Sequence, residues 1–459
     1  MNIFRLGLKL YKLKKLDSLS KSKLDELKLS KLKTLILNTY RYSSYYKKIF
    51  DKNNINEETI RHFKLEDLSK IPFITKDQYV ENYESIVTDR NIKLEDVMHF
   101  DEENTYIENS EKLYLDKYHI IHTSGTEEKP FYVVYDKNAW EDTVFGIIRI
   151  ALWDLRFKEL IKYITGNVRV CNLMSSDGRY AGCTSIVDGL DILNMEYKSI
   201  DVAKELSTIK DELVSFNPNV LIGYVSILEI VADYIVDNGI KLSVDRVITC
   251  GEPLTNSKRE KLEKTFKVKV IDCYGASESI AIGVQNDIEE GMYLLDDLNI
   301  IEIDKESIYL TNLSNYTMPF IRYEIKDVLL KKDNKSNSKL PYTRIEKVRG
   351  RSSDILWLDN KKDFIHPLQI EGYKLKGMND FQLVKISEKS FTVNVKMDDI
   401  DEKQKEECFL AIEKKISEGL NEILTNKNLT DIHFEVKIVD NMQIDPKSKK
   451  KRFIINDVK

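Results

Sequence analysis

The chain has 459 residues, 42% hydrophobic and 32% charged, with a net charge of −5. That length exceeds one ordinary core and predicts two or three domains. The composition excludes a disordered chain, and no window reaches the ~18 unbroken apolar residues that a membrane span needs.

Cys171, Cys183, Cys250, Cys273 and Cys408 form no C-x-x-C pair, and the six histidines are scattered. Reduced thiols are expected, with no disulfide framework and no zinc site. Net acidity argues against a nucleic-acid partner. After Arg5 and Lys9, charges interrupt every apolar piece, so neither a signal peptide nor an integral membrane segment is expected and the protein reads as cytoplasmic. Basic residues gather at 9–33 and again in the tail "DPKSKKKRF" (445–453). The first cluster reads as a solvated amphipathic helix, with a membrane or nucleic-acid patch as the alternative.

From about residue 130, short apolar runs alternate with helical periodicity. "FYVVY" (131–135) predicts a strand and 138–155 a helix. "VRVCNLM" (168–174) predicts a strand, followed by a helix near 203–215. A short strand follows Asn219, then a helix from about Ser226 to Gly239. "DRVITC" (245–250) is a strand, Thr255 or Ser257 caps a helix through Phe266, and "KVKVIDC" (267–273) is the next strand. Such alternation predicts an α/β sheet with parallel pairs. Beyond the polar "DNKSNSK" (333–339), two strands (381–387, 390–396), a helix (402–422) and a strand (431–439) predict a small α+β unit. The boundary is expected near Gly350, giving domains 1–349 and 350–459.

Five stretches carry possible chemistry. "HTSGTEEKP" (122–130) has the hydroxyls and glycine of a phosphate-holding loop, with Glu127 and Glu128 where carboxylates would repel phosphate. "DCYGASES" (272–279) follows a strand, where open α/β sheets bind ligands. There Gly275 permits a tight turn, Tyr274 offers a flat ring, and Ser277 and Glu278 offer oxygens suited to Mg²⁺. Gly251-Glu252-Pro253 follows another strand end. "MPFIRYEIKDV" (318–328) holds Arg322 and Asp327, a ribose acceptor or half of a surface ion pair. "GRSSD" (350–354) sets Arg351 at the domain junction.

In this order the motifs resemble the adenylate-forming enzymes, and most of all the phenylacetate-CoA ligase branch with its relatives encoded beside capsular polysaccharide genes. "YRYSSYYKKIF" (40–50) and "NPNVLIGYVSIL" (217–228) resemble that branch too. The resemblance implies a large multi-sheet N-terminal α/β domain and a small mobile α+β C-terminal domain. It implies activation of a carboxylic acid by ATP and Mg²⁺ as acyl-AMP with pyrophosphate release, then acyl transfer to coenzyme A. Thr123, Ser124, Gly125, Thr126 and Lys129 match the phosphate loop, with Thr126 among the catalytic set. Gly251, Glu252 and Pro253 match the turn beside adenine, and Asp272, Tyr274, Gly275 and Ser277 the nucleotide motif. Glu278 matches the Mg²⁺ carboxylate, Asp327 the ribose acceptor with Arg351 near it, and Lys450 the lysine of adenylation. By analogy the acid pocket lies near Tyr224, Ala276 and residues 175–183.

The sequence departs from the family pattern at Glu127, Glu128, Lys326, Ser353 and Lys449. Two alternatives stand beside the thiol ligase, the first because the acceptor channel has no short signature and the second because of Glu127, Glu128 and Lys326. One is transfer to another acceptor (a sugar amine, an amino acid or a carrier-protein thiol), as in surface polysaccharide biosynthesis. The other is a degenerate nucleotide-binding relative without turnover. Partners are expected to be a small carboxylic acid and an acyl acceptor, and the protein a monomer or homodimer.

Overall fold

The computed structural model describes residues 3–104, 112–123, 131–153, 155, 168–174, 179–202, 204, 206–285, 289–305, 307–332, 338–351, 356–359, 363–365, 377–397, 401–426, 429–442 and 454–455. The chain is mixed α/β and divides into two compact units. The first comprises Met1–Ile325 and Leu329–Val348, and the second Lys326–Val328 and Arg349–Lys459.

In the first unit, β1 (Tyr118–His122) and β2 (Tyr132–Asp136) form an antiparallel hairpin in the register His122 opposite Tyr132. The main sheet is built from β3 (Arg169–Met174), β4 (Glu196–Asp201), β5 (Val220–Gly223), β6 (Arg246–Cys250), β7 (Val270–Ala276), β8 (Ser279–Gln285) and β9 (Met292–Leu294). A small antiparallel sheet holds β10 (Asn299–Ile303), β11 (Ile308–Asn312) and β12 (Tyr323–Ile325). With β13 (Asp327–Lys331) and β14 (Arg344–Arg351), the main sheet has nine strands in the order β13-β14-β9-β8-β7-β6-β5-β3-β4.

The run from β4 to β7 is parallel. Within it β3, β5 and β6 are buried on both faces, as their continuous apolar runs require, while β4 at the edge is only partly covered. The crossovers are the helices Ala181–Leu193, Leu206–Phe216, Val225–Asp237 and Asn256–Phe266. Their ends follow local chemistry. Of the two expected caps, Thr255 is the one used: its hydroxyl accepts from Lys258 N. That helix ends at Lys267, in the left-handed region at φ 58°, so β7 starts three residues later than the apolar pattern suggested. Gly239 follows the 225–237 helix at φ 61°, where a side chain would be strained.

A buried ion pair joins the helix Lys137–Ala151 to the turn after β9. The Arg149 guanidinium donates to both Asp297 oxygens, at 3.0 and 2.8 Å. Burial alone would raise the Asp297 carboxyl, but Arg149's charge and hydrogen bonds hold it below the usual range. Neighbouring Asp296 takes Lys28 from the helix Lys21–Tyr42 at 3.1 Å. These two aspartates tie the N-terminal helices to the sheet.

The second unit contains a hairpin of β15 (Leu356–Leu358) and β16 (Asp363–Ile365) and a four-stranded sheet. In that sheet β17 (Met378–Ser387) and β18 (Ser390–Met397) are antiparallel, β19 (His433–Ile438) runs parallel to β18, and β20 (Ile454–Ile455) parallel to β17. The helix Glu402–Asn426 buries Ile412, Ile416, Leu420 and Leu424 against them, an i, i+4 stripe on one face.

Replacing Asp297 with Ala should strand a buried guanidinium and cost about 3–5 kcal/mol. Urea unfolding of Asp297→Ala beside an Arg149→Met/Asp297→Leu double variant measures it. The double variant is expected to lose less, because no charge is left unpaired.

Candidate active site

The carboxyl ends of β3, β5, β6 and β7 lie along one edge of the sheet, because these strands are parallel and adjacent. This is where an open α/β sheet places its ligands. Gly251, just after β6, adopts φ 74°, and a Cβ there would stand 3.0 Å from the Tyr224 ring. Glycine is thus required twice at one position, for the backbone angle and for the ring. Tyr224 follows β5 and begins the helix Val225–Asp237. Glu252 is half-buried and Pro253 exposed.

One strand over, the Thr249 hydroxyl donates to the buried carboxylate of Asp272 at 2.7 Å. Burial pushes the Asp272 carboxyl up to about 6, against the opposing effects of Thr249 and of Arg259's charge. Cys250 is held up at about 12 by burial, so it remains a thiol near neutral pH.

β7 and β8 are antiparallel and joined by a two-residue turn, Ser277-Glu278. Gly275 is needed for a reason other than the expected turn. Its φ is not positive, but a Cβ would stand 2.0 Å from the carbonyl oxygen of Ile280 across the hairpin. The glycine permits strand approach rather than reversal. Tyr274 is buried in an apolar cluster with Ile282, Met292 and Leu294, and Ala276 packs at its edge.

Glu278 is not the exposed turn residue that a plain hairpin would carry; it is 7% exposed. Its peptide is fixed from two directions. The Tyr135 hydroxyl on β2 donates to the Ser277 carbonyl at 2.7 Å, and Asn312 Nδ2 on β11 donates to the Glu278 carbonyl at 2.8 Å. The carboxylate's charge also helps burial to raise the phenols of Tyr79 and Tyr135.

Tyr135 connects this turn to the β1–β2 hairpin, whose tip carries the hydroxyl-rich stretch. At the base of the tip, Thr123 N donates to the Phe131 carbonyl and Phe131 N donates to the Thr123 hydroxyl, both at 3.0 Å. The neighbouring His122 lies 2.9 Å from Asp101, with both side chains nearly buried. Ser124, Gly125, Thr126, Glu127, Glu128 and Lys129 lie outside the described residues, as do Ser353, Lys449 and Lys450.

Arg322 is not paired with Asp327. It adopts φ 50° and pairs with Glu302 at 2.8 Å, while its guanidinium donates to the carbonyl of Ile71 at 2.5 Å. It ties the segment before residue 72 to the small sheet, which is a structural role. Asp327 and Arg351 both belong to the second unit, at the start of β13 and the end of β14.

The structure thus joins Tyr135, Asn312 and the Ser277-Glu278 turn by hydrogen bonds, and along the main sheet it brings Tyr224 to Gly251 and Thr249 to Asp272. Tyr135, Asn312 and Thr249 escaped the sequence reading. Tyr135 sits in a strand whose residues 132–135 are all buried, so no alternation set it apart. Asn312 is a lone amide at a strand end, and its partner is 34 positions away.

No protein-family model matches the chain. Among curated proteins, it is 25% identical over 330 residues to Protein CapK of Staphylococcus aureus, spanning 68% of this chain and 65% of that one. It is 23% identical over 383 residues to a phenylacetate-coenzyme A ligase of Thermus thermophilus, spanning 78% of this chain and 77% of the relative. A solved structure of 2-hydroxyisobutyryl-CoA ligase, in the postadenylation state with 2-HIB-AMP, superimposes over 96% of this chain and 90% of its own, with a TM-score of 0.71 at 15% identity. In sequence and in fold, the proteins this chain is similar to are adenylate-forming ligases. The phenylacetate-CoA ligases and CapK are its relatives in sequence.

Asp272 gives a pH signature. Its folded pKa of about 6 lies above the ordinary 3.8, so between those values the folded state keeps a proton that the unfolded chain releases. Wild-type stability should therefore fall as pH rises through that window. Asp272→Asn should match wild type near pH 4 and exceed it above pH 6 by roughly 2–3 kcal/mol. Denaturant midpoints of both proteins at the two pH values measure the difference.

Proposed function

We propose that this protein activates a carboxylic acid with ATP as an acyl-AMP, releasing pyrophosphate, and then transfers the acyl group to coenzyme A. The observation that carries this reading is the buried Glu278 turn, fastened by Tyr135 to the hairpin that bears the hydroxyl loop, within a fold shared with acid–CoA ligases.

Adenylation is a displacement at the α-phosphate by a carboxylate oxygen. The protein's task is to hold the reactants in line and to neutralise the growing charge. Glu278 fits a hard cation: it is an oxygen donor on a fixed backbone. Mg²⁺ bound there would supply positive charge to the phosphate oxygens. Thr123, Ser124, Gly125, Thr126, Lys129 and Ser277 would contact the phosphates. The Gly251-Glu252-Pro253 turn would wall the base, and Asp272 would brace that wall through Thr249. Tyr274's part against the base rests on the resemblance; the residue is buried in an apolar cluster. In the second unit Asp327 and Arg351 would take the ribose, and Lys450 would bring an ammonium to the α-phosphate. Tyr224 and Ala276 would border the acid. The protein would work in the cytoplasm.

Pyrophosphate release with ATP and Mg²⁺ across a panel of carboxylic acids, with hydroxylamine as trap, tests the reading and names the acid. Failure of every acid in the panel to elicit release, despite ATP binding, would move the assignment to a nucleotide-binding relative without turnover. Candidate thiols and amines added after a positive result identify the acceptor.

With the acid known, Glu278→Gln should lower adenylation by about 10²-fold or more, as removing charge stabilisation does in other enzymes. Its unfolding midpoint should stay near wild type. Lys450→Ala should lose adenylation without losing ATP binding; unchanged pyrophosphate release would assign the role to another tail lysine.

A further inference from the structure

The charge of the chain is strongly segregated. The first 33 residues carry ten basic and three acidic side chains, a charge of +7, which leaves −12 on all the rest. Most of these cations are spent on the body. Lys9 pairs with Glu141, Lys14 with Asp17, Lys21 and Lys28 with Asp25 and Asp296, while Lys31 and Lys33 donate to main-chain carbonyls. Arg5, Lys12, Lys15 and Lys23 are exposed, and none has an acidic partner among the described residues.

Helical geometry sorts them. In the helix Ile3–Leu16, Leu6 and Leu10 are buried, and Leu13 and Leu16 pack against the body. Positions 5, 8, 12 and 15 then fall in one stripe on the outward flank of the helix, at spacings of three and four. That stripe reads Arg5, Leu8, Lys12, Lys15, with Tyr11 beside it; Leu8 is 46% and Tyr11 58% exposed. Lys12 also stands at a crevice of about 190 Å³ lined by Leu13, Leu16, Leu27 and Phe145.

We propose that this outward stripe, with Lys23 at the start of the next helix, docks the protein on an anionic phospholipid surface. The charge asymmetry chooses the occupant. The rest of the chain nets −12 and is on balance repelled by an anionic bilayer, whereas the N-terminal face carries +7 and is attracted to it, which favours approach with this helix down. Leu8 and Tyr11 sit among the cations as the side chains able to enter the headgroup layer, which suits an interfacial helix better than contact with a purely polar polyanion.

Flotation of the full chain with phosphatidylcholine vesicles, with and without phosphatidylglycerol, tests the proposal. Binding should need the anionic lipid and weaken as salt rises. Arg5→Glu/Lys12→Glu/Lys15→Glu/Lys23→Glu should weaken it by at least about tenfold, and Leu8→Ser/Tyr11→Ser should weaken it at constant charge. Both variants keep Leu6 and Leu10, so their unfolding midpoints should match wild type. Three results would overturn the proposal: no binding to anionic vesicles at low salt, binding untouched by charge reversal, or competition by duplex DNA that Leu8→Ser/Tyr11→Ser leaves unaltered while lipid binding is unaffected.

Discussion

The site depends on holding one carboxylate in a mostly buried turn. Glu278 has little access to water, and a charge in that position is costly unless something favours it. The fold fixes the peptide of this turn from two sides. Tyr135 holds the carbonyl before Glu278 and Asn312 holds the carbonyl of Glu278 itself, so the turn is anchored to two other sheets at once. A backbone held in this way gives the carboxylate a defined position.

The asparagine anchor is itself secured. Asn312 Oδ1 accepts from the backbone N–H groups of Ser314 and Asn315, and Asn315 in turn donates to Val134 on β2. The Glu278 turn, the 312–318 segment and the β1–β2 hairpin thus form a closed circuit of buried hydrogen bonds. Such circuits are satisfied as a set, and a gap at one member leaves polar atoms buried and unpaired elsewhere. The pair Arg149–Asp297 plays a comparable part away from the site, joining helix to sheet where the N-terminal helices also attach.

Much of this was legible in the sequence wherever it depends on local pattern. The alternation of strands and helices from residue 130 gave the parallel core and its crossovers, since apolar runs and caps are short-range signals. Gly251 and Glu278 were visible by type and place. Gly275 was legible as a glycine but not for its reason, because the Ile280 carbonyl that excludes a side chain belongs to a different strand. Tyr135, Asn312 and Thr249 were not legible at all: a buried tyrosine or asparagine acquires its role from a partner chosen by the fold. Arg322 shows the opposite failure, in which a basic residue beside a motif aspartate proved to be committed to Glu302 and to carbonyls before residue 72.

The clasp between Thr123 and Phe131 has an implication for how this protein can vary. Two main-chain and side-chain hydrogen bonds close the hairpin below the tip, and the register of β1 and β2 is complete without the residues between. The intervening segment is therefore a cassette: its composition can drift, and its length can change at small entropic expense, without unseating the strands that carry it. Glutamates at 127 and 128 are the kind of exchange such a mounting allows. Chemistry at the tip and stability of the body become separate properties, free to diverge along separate histories.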